Sequence, residues 1–97
     1  MKYEFHPEAE EEFIEAAAYY ERNVPGLGER FGREVLRDIE QLLEHPELGT
    51  PIDENLRKLF LIRFPYLLIY SFTTDVLRIV AVAHTRRRPG YWRARSD

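Results

Sequence analysis

Three apolar runs in the second half of the chain are joined by connections too short for a crossover. The runs are LRKLFLIRF (56–64), PYLLIYSF (65–72) and VLRIVAVAHT (76–85). Phe64-Pro65 separates the first two runs, and residues 73–75 form a tight turn between the last two. Because parallel strands need a connection of a dozen or more residues, the three runs are expected to be antiparallel neighbours. The second run is apolar on both faces, which predicts a central strand.

The first half of the chain has the pattern of one short strand followed by two helices. KYEF (2–5) alternates as a strand does, and His6-Pro7 begins a helix because proline is tolerated in a first turn. The segment NVPGLG separates this helix from a second one, which ends at His45-Pro46. The apolar residues at helical spacing are Ala9, Phe13, Ala16, Ala17 and Tyr20 in the first helix, and Phe31, Val35, Ile39, Leu42 and Leu43 in the second.

The resulting order of elements, β-α-α-β-β-β, predicts an α+β domain. A helix hairpin is expected to pack on one face of an antiparallel sheet and to leave the other face, here called the outer face, open. The segment HPELGTPIDEN (45–55) is interpreted as a loop between the two halves. A length of 97 residues, of which 44% are hydrophobic, fits a single domain over residues 1–97.

Composition restricts the environment and the chemistry of the chain. Cysteine is absent, which excludes disulfides and thiolate metal sites, and no run approaches the roughly 18 apolar residues of a membrane span. We therefore expect an untargeted, cytoplasmic protein. The three histidines, His6, His45 and His84, lie on separate elements without the spacing of a metal site, so we expect neither a metal nor a cofactor.

Charge is distributed unevenly along the chain. Residues 1–54 carry 15 acidic and 5 basic side chains, a balance of −10, whereas residues 55–97 carry 2 acidic and 9 basic ones, a balance of +7. This asymmetry predicts a basic face suited to nucleic acid or to an acidic protein segment. The alternative is that the two halves partly neutralise each other inside the fold.

Strand alternation predicts which side chains face the helices. In the last strand the more apolar set is Leu77, Ile79, Ala81 and Ala83, which we expect on the helix side. The opposite set, expected on the outer face, is Arg78, Val80, Val82 and His84. For the run 56–64 the parity that meets the helices stays open, although Arg57 and Arg63 are expected on the outer face or at its rims.

The ending HTRRRPGYW (84–92) holds the most distinctive candidate residues. Arg86, Arg87 and Arg88 are candidates for contact with an anionic target, because guanidinium groups match phosphates and carboxylates and because Pro89-Gly90 holds the run in a turn. A solvated terminus is the alternative. Tyr91 and Trp92 either stack on a base or anchor a partner, or they fold back and cap the edge of the sheet, which is slightly favoured. His84 is a candidate general base, although a structural hydrogen-bonding role is favoured.

The phrases RFPYLLIYSF and VLRIVAVAHTRRRPGYW, together with the order of elements, resemble the RelE/ParE toxins of type II toxin–antitoxin systems, also called plasmid stabilisation proteins. The resemblance extends from HPEAEEEF to Trp92. It implies a small toxin held inactive by a cognate antitoxin, whose C-terminal segment wraps around the toxin. The class of antitoxin and the oligomeric state of the toxin stay open.

The resemblance implies one of two targets, since one branch of the family poisons DNA gyrase and the other cuts mRNA in the ribosome. The nuclease branch typically has an arginine after the tyrosine that opens the third strand and alternating lysines on the second, where this chain has Leu67 and Phe60. A gyrase inhibitor is therefore favoured. The alternatives are a metal-independent, ribosome-dependent endoribonuclease, with Arg63, Arg86 and Tyr91 as catalytic residues, and a non-toxic interaction domain. The expected target- or antitoxin-binding residues are Arg57, Arg63, His84, Arg86, Arg87, Arg88, Tyr91 and Trp92.

Overall fold

A computed structural model describes residues 1–95 and confirms the predicted order of elements. The helices are α1 (Pro7–Asn23) and α2 (Leu27–Glu44), with short 3₁₀ turns at Pro46–Leu48 and Arg93–Arg95. The strands are β1 (Lys2–Phe5), β2 (Thr50–Pro51), β3 (Arg57–Phe60), β4 (Tyr66–Phe72) and β5 (Val76–His84). Strand β2 lies within the segment interpreted as a loop, where two residues pair with β3. Within the described residues neither helix has the length and apolar composition needed to cross a membrane.

The five strands form one sheet in the order β1-β5-β4-β3-β2. Strands β3, β4 and β5 form the expected antiparallel meander, and β4 occupies the centre of the sheet. Strand β1, however, pairs in parallel with β5, so the sheet is mixed rather than wholly antiparallel. The helix hairpin between β1 and the meander supplies the long connection that a parallel pair requires. The predicted α+β class and the packing of the hairpin on the sheet are confirmed.

The two helices approach closely at the start of α2. Gly26 has a left-handed φ of 89°, and a Cβ on Gly28 would lie 2.3 Å from the carbonyl oxygen of Ala17. Since Gly26 has no side chain to cap α2, Glu21 of α1 accepts hydrogen bonds from the N–H groups of Gly26 and Gly28 at 2.8 and 3.0 Å. These N–H groups also lower the pKa of Glu21. The helices are therefore held together at this end by the close contact of Gly28 with Ala17 and by the Glu21 carboxylate, which caps α2 from α1.

The main core lies between the helices and the sheet. Tyr70 is fully buried there, and its hydroxyl donates to the carbonyl of Pro46 at 2.7 Å and accepts from the N–H of Gly49 at 2.8 Å. These bonds tie the segment after α2 to the central strand. The buried members of this core are Ala9, Ala16, Phe31, Val35, Ile39, Leu42, Leu61, Leu68, Tyr70, Leu77, Ile79 and Val82. Leu59 of β3 packs against this core. The set of β3 side chains that faces the helices, which the sequence left open, is therefore the one that contains Leu59.

A β-bulge in β5 changes which side chains face the helices. Tyr70 pairs with Ile79 and Ile69 pairs with Ala81, so Val80 is an extra residue without a partner in β4. Leu77 and Ile79 face the helices as expected. Beyond the bulge the alternation is reversed, and Val82 joins the main core. The prediction that Ala81 and Ala83 face the helices is therefore wrong, because they lie on the outer face.

The outer face is covered by the end of the chain. Trp92 is only 7% exposed and packs there in a second cluster of buried residues. The other buried members are Leu56, Leu67, Ile69, Val80, Ala81 and Ala83. The expectation of an open outer face is wrong in this region, because the segment after β5 folds back and buries apolar side chains that the sheet leaves exposed.

Candidate partner-binding site

Residues 85–95, here called the C-terminal segment, are fixed to an edge of the sheet by Glu12 of α1. Strand β1 accompanies β5 only as far as Ile79, so the bulged half of β5 has no neighbouring strand on that side. There the N–H of Val82 donates to Glu12 at 2.9 Å, and Arg95 donates to the carbonyl of Val80 at 3.1 Å. A carboxylate and a guanidinium thus satisfy backbone groups that a strand would otherwise satisfy.

The same carboxylate holds the aromatic and cationic side chains of the C-terminal segment. Glu12 accepts from Arg95 at 2.7 and 3.0 Å and from the Tyr91 hydroxyl at 2.8 Å. The Arg87 guanidinium lies 3.7 Å from the centre of the Tyr91 ring and 3.6 Å from Glu12. Burial and the contact with Glu12 raise the pKa of Tyr91, and Glu12 also raises that of Arg95. Arg87, Tyr91 and Arg95 are therefore paired within the chain.

A second attachment is made by Arg93, the residue that follows Trp92. Arg93 donates to Asp53 at 2.8 Å. The other carboxylate oxygen of Asp53 accepts from the N–H groups of Asn55 and Leu56, which shapes the turn before β3. The N–H of Asn55 and the side chain of Arg93 lower the pKa of Asp53. Contacts of Glu12 with Arg87, Tyr91 and Arg95, and of Asp53 with Arg93, therefore hold the C-terminal segment against the sheet.

Arg86 and Arg88 remain exposed on this held segment. The N–H of Arg86 donates to His84 Nδ1 at 3.0 Å, and the N–H of Arg87 donates to the carbonyl of His84 at 3.0 Å. The His84 ring also makes an edge contact with Tyr66 at 5.0 Å, so His84 forms the base of the turn. Within residues 1–95 the side chains of Arg86 and Arg88 make no hydrogen bond or ion pair. The turn therefore presents two guanidinium groups to solvent.

A groove of about 310 Å³ runs between the C-terminal segment and β3. Its lining combines cationic and apolar side chains, among them Lys58, Phe60, Leu67, Arg87 and Trp92. Phe60 is 54% exposed at the rim, and Lys58 lies 5.7 Å from the centre of its ring. The groove and the exposed arginines together form a mixed apolar and cationic surface, here called the C-terminal surface, which suits a macromolecular partner.

The remaining sequence-predicted residues lie elsewhere. Arg57 donates to the carbonyl oxygens of Glu47 and Gly49 at 3.0 and 2.8 Å, which fixes the segment before β2. Arg63 lies in the loop after β3, beside α2, whereas the Tyr91 hydroxyl is bonded to α1. The structure therefore does not bring the candidate catalytic residues Arg63 and Tyr91 to one cleft. Within residues 1–95 no cluster of histidine and carboxylate side chains is arranged to hold a metal ion.

Sequence reasoning missed a second groove, of about 690 Å³, between α2 and residues 63–65. Three arginines of α2 line it, namely Arg30, Arg33 and Arg37, together with Arg63 from the loop. The spacing i, i+3 and i+7 was a signal for one helical stripe. It was hidden because these arginines lie in the half of the chain whose summed charge is strongly negative.

A helix hairpin on a five-stranded mixed sheet, with a basic C-terminal segment folded across the outer face, defines a small α+β domain. Residues 3–89 match the family model described as the ParE toxin of type II toxin–antitoxin systems, parDE. The chain therefore belongs to the ParE toxin family, which confirms the resemblance. A solved structure titled "Chromosomal ParDE TA system from P. aeruginosa" has a similar fold, with a TM-score of 0.73 and 14% identity over 87% of this chain and 95% of that chain. No curated protein matches the sequence.

Proposed function

We propose that this protein inhibits DNA gyrase by binding it, and that a cognate antitoxin neutralises it in the cytoplasm. Membership of the ParE toxin family supports the class of activity. The observation that carries the proposal is that Arg86 and Arg88 are exposed on a segment whose backbone is anchored to the sheet. Trp92 is buried on the outer face and Tyr91 is bonded to Glu12, so the backbone of the segment that carries both guanidinium groups is anchored before any partner arrives.

The state of Tyr91 favours binding over RNA cleavage. A general acid or base works best when its pKa lies near the working pH, whereas burial and the contact with Glu12 raise the pKa of Tyr91 further above its ordinary value. Its hydroxyl already donates to Glu12, and Arg63 is placed beside the other helix. A ribosome-dependent nuclease that used Arg63, Arg86 and Tyr91 would have to break the hydrogen bond between Tyr91 and Glu12 and bring Arg63 to Tyr91.

The C-terminal surface suits an acidic protein surface on the target. Guanidinium groups form paired hydrogen bonds with carboxylates, and the exposed Phe60 ring offers apolar area beside them. Lys58 adds a cation next to that ring. We infer that Arg86 and Arg88 supply charge recognition and that Phe60 supplies the apolar contact.

A supercoiling assay with purified gyrase tests the proposal. The double variant Arg86→Glu/Arg88→Glu should lose about tenfold or more in inhibitory potency, since each substitution places a negative charge where a cation is required. Arg22→Glu is the matched control, because Arg22 is exposed near the end of α1 and should leave potency unchanged. Absence of both inhibition and trapped cleavage complexes for the unmodified protein would refute gyrase as the target. Codon-dependent mRNA breaks that disappear in Tyr91→Phe would support the nuclease alternative instead.

A further inference from the structure

We propose that β1 pairs with β1 of a second copy of this chain, antiparallel and about a two-fold axis at Tyr3, so that two molecules share one continuous sheet. The surface concerned is the free side of β1, here called the β1 edge, formed by residues 1–5. The sequence leaves the oligomeric state open. The inference does not depend on the proposed function, since it involves neither gyrase nor the antitoxin.

The backbone groups of the odd-numbered residues of β1 are available for a further strand. Strand β1 is the first strand of the sheet, and the N–H groups of Lys2 and His6 donate to carbonyl groups on the β5 side at 3.1 and 2.8 Å. Because neighbouring residues of a strand direct their N–H and C=O groups to opposite sides, those of Tyr3 and Phe5 point away from β5. Residues 2–4 are exposed. The β1 edge can therefore form a second ladder of hydrogen bonds.

The other margins of the sheet are protected, whereas the β1 edge is not. Strand β2 has only two residues and ends in Pro51, which has no N–H to donate. Glu12 and Arg95 occupy the free side of the bulged half of β5. Residues 2–5 contain no proline, and their pairing with β5 is regular. The protective feature of β1 is the charge of Lys2, which opposes an added strand unless that strand carries an acid at the matching position.

A second copy supplies that acid in one register. Odd-numbered residues must oppose odd-numbered ones, because their backbone groups face the partner. With Tyr3 opposite Tyr3, Lys2 lies opposite Glu4 of the second copy on both sides of the axis. These are non-hydrogen-bonded pairs, in which the Cα atoms are about 4.5 Å apart and the side chains are closest. An axis at Lys2 or at Glu4 would instead place like charges directly opposite each other, which is unfavourable.

Both charges are available for this pairing. The side chain of Lys2 makes no hydrogen bond or ion pair within residues 1–95. Glu4 pairs with Arg78 on the outer face through one carboxylate oxygen, and its side chain remains 50% exposed. Lys2 of the second copy would therefore extend the contact between Arg78 and Glu4 into a row of three alternating charges.

The helix side of the β1 edge offers apolar surface to the same partner. Phe5 stacks on Phe13 of α1 with ring centres 5.6 Å apart, and Tyr3 contacts Phe5 edge-on at 6.0 Å. Tyr3 and Met1 are nevertheless 41% and 49% exposed. In the proposed register the two Tyr3 side chains oppose each other, and Met1 opposes Phe5 of the second copy. The β1 edge is thus complementary to itself in backbone, charge and apolar contact.

Sedimentation velocity of the untagged protein over a concentration series tests the pairing. We expect a monomer–dimer equilibrium with a Kd on the order of 100 μM, because a short strand edge buries less than the roughly 1,200 Å² of a stable interface. Lys2→Glu and Glu4→Lys should each weaken self-association about tenfold, since each places like charges opposite each other. An equimolar mixture of these two variants should restore it, because every pair across the axis is then opposite in charge.

Arg22→Glu is the matched control for the charge change, because Arg22 is exposed near the end of α1 and should leave the Kd unchanged. Tyr3→Pro removes an N–H that points away from β5, so it should abolish the dimer while keeping the pairing of β1 with β5. Circular dichroism checks that each variant is folded, and the charge variants decide the question if Tyr3→Pro is not.

Amide hydrogen exchange supplies a second measurement. The N–H groups of Tyr3 and Phe5 should exchange rapidly in dilute protein and become protected as the concentration rises. A protein that stays monomeric at the highest soluble concentration overturns the inference, and so does a mixture of the charge variants that associates no better than each alone. Self-association lost in Arg86→Glu/Arg88→Glu but kept in Lys2→Glu also overturns it, in favour of the C-terminal surface. Protection of Tyr3 that appears only when the antitoxin is added overturns it in favour of a different partner.

Discussion

At the residue scale, Glu12 has the largest structural role of any single charged side chain described. Its carboxylate satisfies a backbone N–H of the bulged strand, the hydroxyl of Tyr91 and the guanidinium of Arg95. In the sequence Glu12 is one of several glutamates in the first two turns of α1, where the helix dipole alone accounts for acidic residues. Helical periodicity cannot identify a partner about 80 residues away, so this role was not predictable.

Replacing Glu12 by glutamine should destabilise the protein by about 3 kcal/mol, because Arg95, whose side chain is 8% exposed, would lose its buried counter-charge. Urea unfolding followed by the emission of Trp92, the single tryptophan, measures the change. Glu11→Gln is the control, because Glu11 is exposed and should shift the free energy of unfolding by less than about 0.5 kcal/mol. Equal stability of the two variants would show that the Glu12 contacts contribute no net energy.

Asp38 should make stability depend on pH. Burial and the nearby charge of Glu34 raise its pKa from 3.8 to about 6, so the folded state binds a proton more tightly than the unfolded state. Asp38 therefore lowers stability progressively as pH rises from about 4 to 6. Asp38→Asn should raise the free energy of unfolding at pH 7, because it removes the unfavourable charge, and should change it little at pH 4. The gain at pH 7 should be about 1 kcal/mol, since solvent screens a half-buried group. Urea midpoints at both pH values measure this, and an equal effect at both would contradict the raised pKa.

At the element scale, the positions of the helices and strands were predictable from the sequence. Which side chains of β5 face the helices, and how β1 pairs in the sheet, were not. The spacing of apolar residues and the proline and glycine breaks located α1, α2 and the meander. The bulge at Val80 has no compositional signal, and adding one residue reverses every later side chain in β5. The parallel pairing of β1 depends on how the hairpin returns the chain, which is a property of packing rather than of local sequence.

The close approach of the helices predicts opposite effects for two glycines of α2. Gly28→Ala should destabilise by about 2 kcal/mol, because its Cβ would lie 2.3 Å from the Ala17 carbonyl oxygen and the helices would have to separate. Gly32→Ala should stabilise by up to about 1 kcal/mol through helix propensity, since the nearest atom to its Cβ, on Phe13, is 3.9 Å away. Thermal unfolding of both variants measures the difference. The reverse order would mean that the hairpin is more loosely packed than described.

At the scale of the whole molecule, charge summed along the chain was a partial guide to charge in space. The basic C-terminal half is partly neutralised by acidic residues of the first half, through Arg95 with Glu12, Arg93 with Asp53, and Arg78 with Glu4. The arginines of α2, counted in the acidic half, instead line a cationic groove. Of the candidate site, the presence of arginines at residues 86–88 was predictable. The pairing of Arg87 with Tyr91 and Glu12, which leaves Arg86 and Arg88 exposed, was not predictable, because it depends on the C-terminal segment crossing the sheet.

That crossing should make the end of the chain essential to the fold. Removing all residues after Gly90 deletes Trp92, and exposing a buried tryptophan site alone costs about 3–5 kcal/mol, a large part of the 5–15 kcal/mol typical of a domain. The truncation also removes the Tyr91 hydroxyl and the Arg95 guanidinium from Glu12, which keeps only Arg87 and the N–H of Val82 as partners. We expect the truncated chain to unfold at a much lower urea concentration and to bind a hydrophobic dye such as ANS through the uncovered Ala81 and Ala83 surface. Arg86→Ala/Arg88→Ala keeps the covering segment and should retain the midpoint of the unmodified protein. A truncated chain with an unchanged midpoint and no dye binding would mean that the outer face is stable without its cover and that the C-terminal segment serves the partner alone.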